Sequence, residues 1–207
     1  MTGRFITLEG IEGAGKSTVA KFVLAYLARR QISARLTREP GGTPLAERIR
    51  QLVLERGTEP LSPVTETLLM FAARDLHLQH LIRPALARGE WVVCDRFTDA
   101  TRAYQGSGRG IGPDLIESLA AAVHGGLAPD CTLLLDVPVS VGLARARGRL
   151  AGDADRFESE TVSFFEKVRS GYLELARREP ERIHVIDADA PLEAVEERVE
   201  RILEELE

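Results

Sequence analysis

The chain has 207 residues, 27 of them basic and 32 acidic, for a formal net charge of −5. An apolar fraction of 44% with 29% charged residues is ordinary globular composition, enough for one domain with insertions, and it excludes disorder. Net acidity without a basic block excludes extended nucleic acid as a partner, and no apolar run approaches the ~18 residues of a membrane helix.

Taken in order, short apolar runs alternate with longer segments of helical period. Arg4–Glu9, Ile32–Thr37, Trp91–Asp95, Cys131–Asp136 and Ile183–Ile186 read as buried strands. Between the first two, Val19, Phe22, Val23, Tyr26 and Leu27 share one helix face. The segment from Pro63 to Arg88 is apolar on more than one face, so it is expected to be deeply buried or to supply an interface. The polar, Gly-rich stretch after Asp95 reads as a binding loop, and Gly148–Arg156 as a loop between helices. Leu192, Val195, Val199, Ile202, Leu203 and Leu206 line one face of the last helix. This alternation predicts an α/β fold, a doubly wound parallel five-stranded sheet flanked by helices, in a single domain over 1–207. Cys94 and Cys131 lie in strands and the N-terminus has no apolar leader, so reduced thiols, a cytoplasmic location and no membrane association are expected.

One loop carries most of the chemistry. Gly10-Ile11-Glu12-Gly13-Ala14-Gly15-Lys16-Ser17 fits G-x4-G-K-[ST], follows a strand and opens an amphipathic helix. A chance match in a chain of this composition has odds of roughly 0.002. Glycines let successive backbone N–H groups turn toward phosphate oxygens, and the helix N-terminus adds its positive end. Lys16 is placed to reach the β- and γ-phosphates, and the Ser17 hydroxyl to ligate Mg2+. Asp95, at the end of an apolar strand, is the favoured acid to organise the ion through water, with Asp136 as its rival.

Asn is absent and only 3 of the 27 basic residues are Lys. Without Asn the chain lacks the N-K-x-D motif of Ras-like guanine pockets. Small kinases instead gather arginines around two phosphate groups, and candidates are Arg38, Arg50, Arg74, Arg96 and the run Arg145, Arg147, Arg149 with Arg156. That run at i, i+2, i+4 beside a Gly- and Asp-rich loop predicts a lid over about residues 145–157.

The motifs LEGIEGAGKST, TREPGGTPLAE, MFAAR, CDRFTDATRAYQGSGRGIG and RARGR…DRFE resemble the bacterial thymidylate kinase family over nearly the whole chain. The resemblance implies a P-loop kinase fold, transfer of the ATP γ-phosphoryl group to dTMP giving dTDP and ADP, Mg2+ as cofactor, and a homodimer. It implies that residues Gly10 to Thr18, with Lys16 and Ser17, serve ATP together with Arg145. Glu12 would meet the acceptor 3′-hydroxyl, and Arg96 and Arg38 would neutralise its phosphate, with Arg50 a weaker contact. Arg74, Thr101 and Gln105 would read the thymine edge, and Tyr104 would leave no room for a ribose 2′-hydroxyl. Ala14 stands where other members carry a P-loop arginine, so the catalytic arginine is expected from the lid, Arg149 first and Arg147 second. Met70 stands where the family places the ring that stacks on thymine, which assigns that task to Phe71. Ala100 stands where a Ser is usual. Three alternatives stay open: a sister nucleoside monophosphate or deoxynucleoside kinase, a P-loop ATPase or switch module, and a nonenzymatic nucleotide-binding or structural protein, which the intact Lys16, Ser17, Asp95 and lid arginines disfavour.

Overall fold

The computed structural model describes residues 3–55, 59–148, 156–157 and 160–207. Five strands, β1 (Phe5–Glu9), β2 (Ala34–Arg38), β3 (Trp91–Asp95), β4 (Cys131–Asp136) and β5 (Ile183–Asp187), pair in parallel in the order β2-β3-β1-β4-β5. The central strand β1 is wholly buried, as a parallel strand covered on both faces must be. Alternate residues feed different helix layers. Ile6, Leu8 and Val93 join Val19, Val23 and Leu27 of α1 (Lys16–Arg29) and Val195, Val199 and Ile202 of α9 (Leu192–Leu206). Phe5, Val92 and Cys94 pack instead on Leu78, Ile82 and Ala85.

The outer strands depart from expectation. β2 and β5 are only partly buried: each has a single neighbour, and Leu36 and Val185 are 46% and 42% exposed. In α9 the first residue, Leu192, is also exposed, because it precedes the turn that reaches the sheet.

The long apolar segment forms α3 (Pro63–His77), a π-helical stretch Leu78–Ile82 and α4 (Arg83–Ala87). Pro84 lies in the first turn of α4 and has no N–H to donate, and the wider π turn carries the helix into it. The stretch after Asp95 is helical rather than a loop: α5 (Thr98–Thr101) runs into a second π segment, Arg102–Gly108. Its small residues decide this, since a side chain on Gly108 or Gly171 would strike Phe164 or Ser107, so this segment sits hard against α8 (Val162–Arg178). The other helices are α2 (Pro44–Leu54), α6 (Pro113–His124) and α7 (Val139–Arg147). Both cysteines are free and buried, and no helix among the described residues is long and apolar enough to cross a membrane.

Candidate active site

β1 delivers the chain into the glycine loop at the C-terminal edge of the sheet. Gly13 has φ +76°, and a Cβ there would lie 1.8 Å from the Gly142 carbonyl of α7, so only glycine lets the loop pack on that helix. Gly15, φ +95°, caps α1 from open space. Lys16 is 8% exposed and donates through Nζ to the carbonyls of Gly10 and Ile11, both at 2.9 Å. Burial and the nearby Arg96 push its ammonium down to about 8, against the pull of Asp95, Glu12 and Glu9.

The loop borders a cavity of about 490 Å3. Its wall includes Glu12, Gly13, Gly15, Lys16, Ser17, Arg50, Met70, Arg74, Asp95, Arg96, Ala100, Thr101, Tyr104 and Gln105. Ile11 and Ala14 turn their side chains into the core, and Thr18 is exposed on α1, which leaves backbone as the part of these three nearest the loop.

Two carboxylates competed for the metal role, and packing separates them. Asp136 is clamped by Arg169 through two hydrogen bonds, 2.7 and 2.8 Å. Asp95 lines the cavity and its buried Oδ1 has no hydrogen-bond partner. Such an oxygen, on the cavity wall that also includes Ser17, suits a hard cation. No group of three or more acidic, His or Cys side chains gathers among the described residues, so an ion here would complete its shell with phosphate and water.

Arg96 lies directly after Asp95 with φ +71°, a left-handed conformation costing a non-glycine residue about 1–2 kcal/mol. The strain turns its guanidinium inward. It donates to Glu12 Oε1 at 2.8 Å and to the Gly10 carbonyl at 3.0 Å, and lies 4.8 Å from the Tyr104 ring centre. The Tyr104 hydroxyl donates to the other Glu12 oxygen at 2.7 Å. Burial works against the Arg96 charge, and Tyr104, Glu12 and the acids around it outweigh that.

Across the cavity, Arg74 is almost wholly buried. It donates from Nε to Glu39 Oε2 at 2.7 Å, and from Nη2 to the Phe97 carbonyl and Thr101 Oγ1, each at 3.0 Å. Its Nη1 is buried without a partner. A guanidinium on a cavity wall whose Nη1 N–H groups have no partner is a donor suited to a ligand oxygen. Gln105, on the same wall, donates through its amide N–H to Glu66 at 2.6 Å.

With this geometry, the relatives of the chain become informative. The sequence profile of thymidylate kinase matches residues 8–199. Thymidylate kinases of Alkalilimnicola ehrlichii and Teredinibacter turnerae are 60% and 54% identical, covering 97% and 99% of this chain and 92% and 98% of theirs. The chain belongs to the thymidylate kinase family. A solved thymidylate kinase from Ehrlichia chaffeensis superposes with a TM-score of 0.78 at 33% identity, covering 98% of this chain and 99% of that one.

Not every residue that the family pattern singles out reaches the cavity. Phe71 is 2% exposed and packs with Ile116 and Ala120 of α6, and Met70 is the residue on the wall. Arg38 points away to pair with Glu47 at 2.8 Å, half exposed. Arg50 lines the cavity and donates to the Pro40 carbonyl at 3.0 Å. Arg145 reaches Ala188 O and Asp189 Oδ1, tying the end of α7 to the turn after β5. Arg147 is exposed at that helix end, and Arg149, like most of the expected lid, lies outside the described residues.

Sequence reasoning passed over Glu39, Glu66, His77 and Glu9, all buried around the site. A signal for two of these existed. Glu66, Met70, Arg74 and His77 stand at i, i+4, i+8 and i+11 of one helix face, where polar groups in an apolar helix mark a wet or paired wall. Glu9 lies beneath the loop, accepting from the Phe97 N–H and the Tyr172 hydroxyl, each at 2.7 Å. Burial, with Asp99 nearby, pushes its carboxyl up to about 7.

Proposed function

We propose that this member of the thymidylate kinase family transfers the γ-phosphoryl group of MgATP to dTMP, giving dTDP and ADP. The observation that carries the reading is a phosphate cradle and a buried, half-free guanidinium on one cavity, whose wall includes both Lys16 and Arg74. The family assignment names thymidylate as the acceptor.

The acceptor phosphate needs no general base, because its second pKa near 6 leaves an anionic oxygen at neutral pH. The chain's contribution is position and charge. Lys16 exchanges its two backbone carbonyls for phosphate oxygens, and Gly13, Gly15 and Lys16 N–H groups cradle the donor. Arg96 faces the acceptor phosphate from its strained turn, and Arg50 supports it. Glu12 accepts from the sugar hydroxyl, and Tyr104 closes the space beside it. Arg74, with Thr101 and Gln105, reads the base edge. Ser17 and Asp95 would hold Mg2+, which when bound supplies charge neutralisation across the phosphates. Arg149 or Arg147 supplies the transition-state arginine, an effect worth about 10³–10⁵ in rate. A lid over residues 145–157, a cytoplasmic location and a homodimer complete the reading.

The test is ADP release measured with dTMP, dUMP, dCMP, dGMP and AMP as acceptors. Activity is expected to be highest with dTMP, and Lys16→Met and Arg149→Ala are expected to abolish it in folded protein. ATP turnover independent of any acceptor would favour a switch ATPase instead.

A further inference from the structure

We propose that His77 is a positioning residue for base discrimination: through Glu39 it fixes the Arg74 guanidinium so that one N–H is directed at the acceptor base. This rests on the reading of Arg74 as a base contact. A guanidinium is a planar fork, so pinning two of its nitrogens sets the direction of the third. Nε is pinned by Glu39 and Nη2 by Phe97 O and Thr101, while the rings of Phe71 and Phe97 lie 4.8 and 5.1 Å from its carbon. Phe71 therefore packs against the base reader rather than lining the cavity.

Glu39 needs holding in its turn. Its Oε1 meets His77 Nδ1 at 3.0 Å, and His77 Nε2 meets Thr37 Oγ1 at 2.6 Å. The side chains of Glu39 and Arg74 are each 3% exposed and that of His77 is 0% exposed, so no water competes for these bonds. Burial raises the Glu39 carboxyl, but Arg74 and His77 outweigh it and hold the group below the ordinary carboxylate value. An ionised carboxylate only accepts, so Nδ1 carries the proton it shares. The chain Thr37–His77–Glu39–Arg74 thus runs from β2 to the cavity, and His77 itself is not on the cavity wall. The loop is shaped around this ring. A Cβ on Gly42 would lie 2.4 Å from His77 Nε2 and 2.8 Å from Thr37 Oγ1, so the second glycine of Arg38-Glu39-Pro40-Gly41-Gly42 exists to clear the imidazole.

The experiment compares kcat/KM for dTMP with that for 5-methyl-2′-deoxycytidine 5′-monophosphate, which carries an amino group in place of the carbonyl oxygen that Arg74 would meet. His77→Leu is expected to lower the ratio about tenfold, the scale of one charge-assisted hydrogen bond. The loss should appear in KM for dTMP, with kcat and KM for ATP within about twofold. His77→Asn, whose amide N–H takes the place of Nδ1, should restore the ratio to within about twofold. A merely structural role would weaken both acceptors alike. An unchanged ratio in folded His77→Leu, alongside a lowered one in Arg74→Ala, overturns the proposal and leaves the acceptor site standing. An unchanged ratio in Arg74→Ala overturns both. Should His77→Leu fail to fold, Thr37→Val is read in its place: a ratio lowered about threefold supports the proposal, and an unchanged one ends it.

Discussion

Burial decides the direction for Lys16 and Glu9, whereas neighbouring charges outweigh it at Arg96 and Glu39. Lys16, with its ammonium lowered to about 8, is partly neutral at pH 8.5 before nucleotide binds, and phosphate oxygens favour the cation. ATP affinity should therefore fall as pH rises through about 8, and binding at pH 8.5 should be accompanied by proton uptake. Calorimetry in two buffers of different ionisation heat measures this, and identical heats in both would contradict it. Glu9 behaves in the opposite sense. Its folded value near 7 lies above the ordinary 4.5, so the folded chain keeps a proton that the unfolded chain releases. That contribution to stability is complete below about pH 4.5 and is lost as pH rises to about 7. Glu9→Gln can still accept from Phe97 N–H and can donate to Tyr172. Thermal unfolding should show the variant more stable than the parent at pH 8, with the gap closing toward pH 4.5. A constant gap would mean that Glu9 titrates normally. None of this is visible in the sequence, where Glu9 is one acid at the end of a strand.

At the scale of elements, the site stands on turns whose geometry leaves little choice of residue. Gly13 and Gly15 both have positive φ, but only Gly13 has a backbone carbonyl in the place of a Cβ. Gly13→Ala should lower stability by about 2 kcal/mol or more, a fall of about 5 °C or more in Tm, and weaken ATP at least about tenfold. Gly15→Ala should bear the φ strain alone and lose less. Equal losses in differential scanning calorimetry would show that packing on α7 is irrelevant. Helices were legible from period, because apolar residues at 3.6-residue spacing must face the sheet wherever it lies. The orientation of α3 was not. Met70 and Phe71 sit four and three residues before Arg74, and both spacings keep a contact on one face. Only α6, which receives Phe71 beside Ile116 and Ala120, decides that Met70 takes the wall. The π segments escaped for a similar reason: Pro84, Gly108 and Gly171 signal breaks locally, but packing carries the helix through them.

At the scale of the molecule, α2, α3 and α6 leave Leu45, Leu52, Val64, Leu68 and Leu115 exposed on helices that pack side by side. Leu45 and Leu52 lie seven residues apart and Val64 and Leu68 four apart, so each pair forms a stripe on its helix. These stripes are the expected contact of the proposed homodimer. Leu52→Glu with Leu68→Glu should convert a dimer of about twice the 22.8 kDa chain mass to monomer in sedimentation, and a monomeric parent would refute the assignment. The sequence by itself determined what adjacent residues build together: the phosphate cradle, the αβ alternation, the strand-end acids and the arginine supply. These depend on backbone freedom and period, which a few consecutive residues fix. Tertiary structure decided which groups remain free. Asp136 is taken by Arg169, 33 residues onward, and Asp95 is not. Arg38 is taken by Glu47, while Arg74 keeps its Nη1 open because Glu39, Phe97 and Thr101 hold the other two nitrogens. A side chain's availability depends on partners brought from distant segments, and those are settled only when the sheet and its helices close around them.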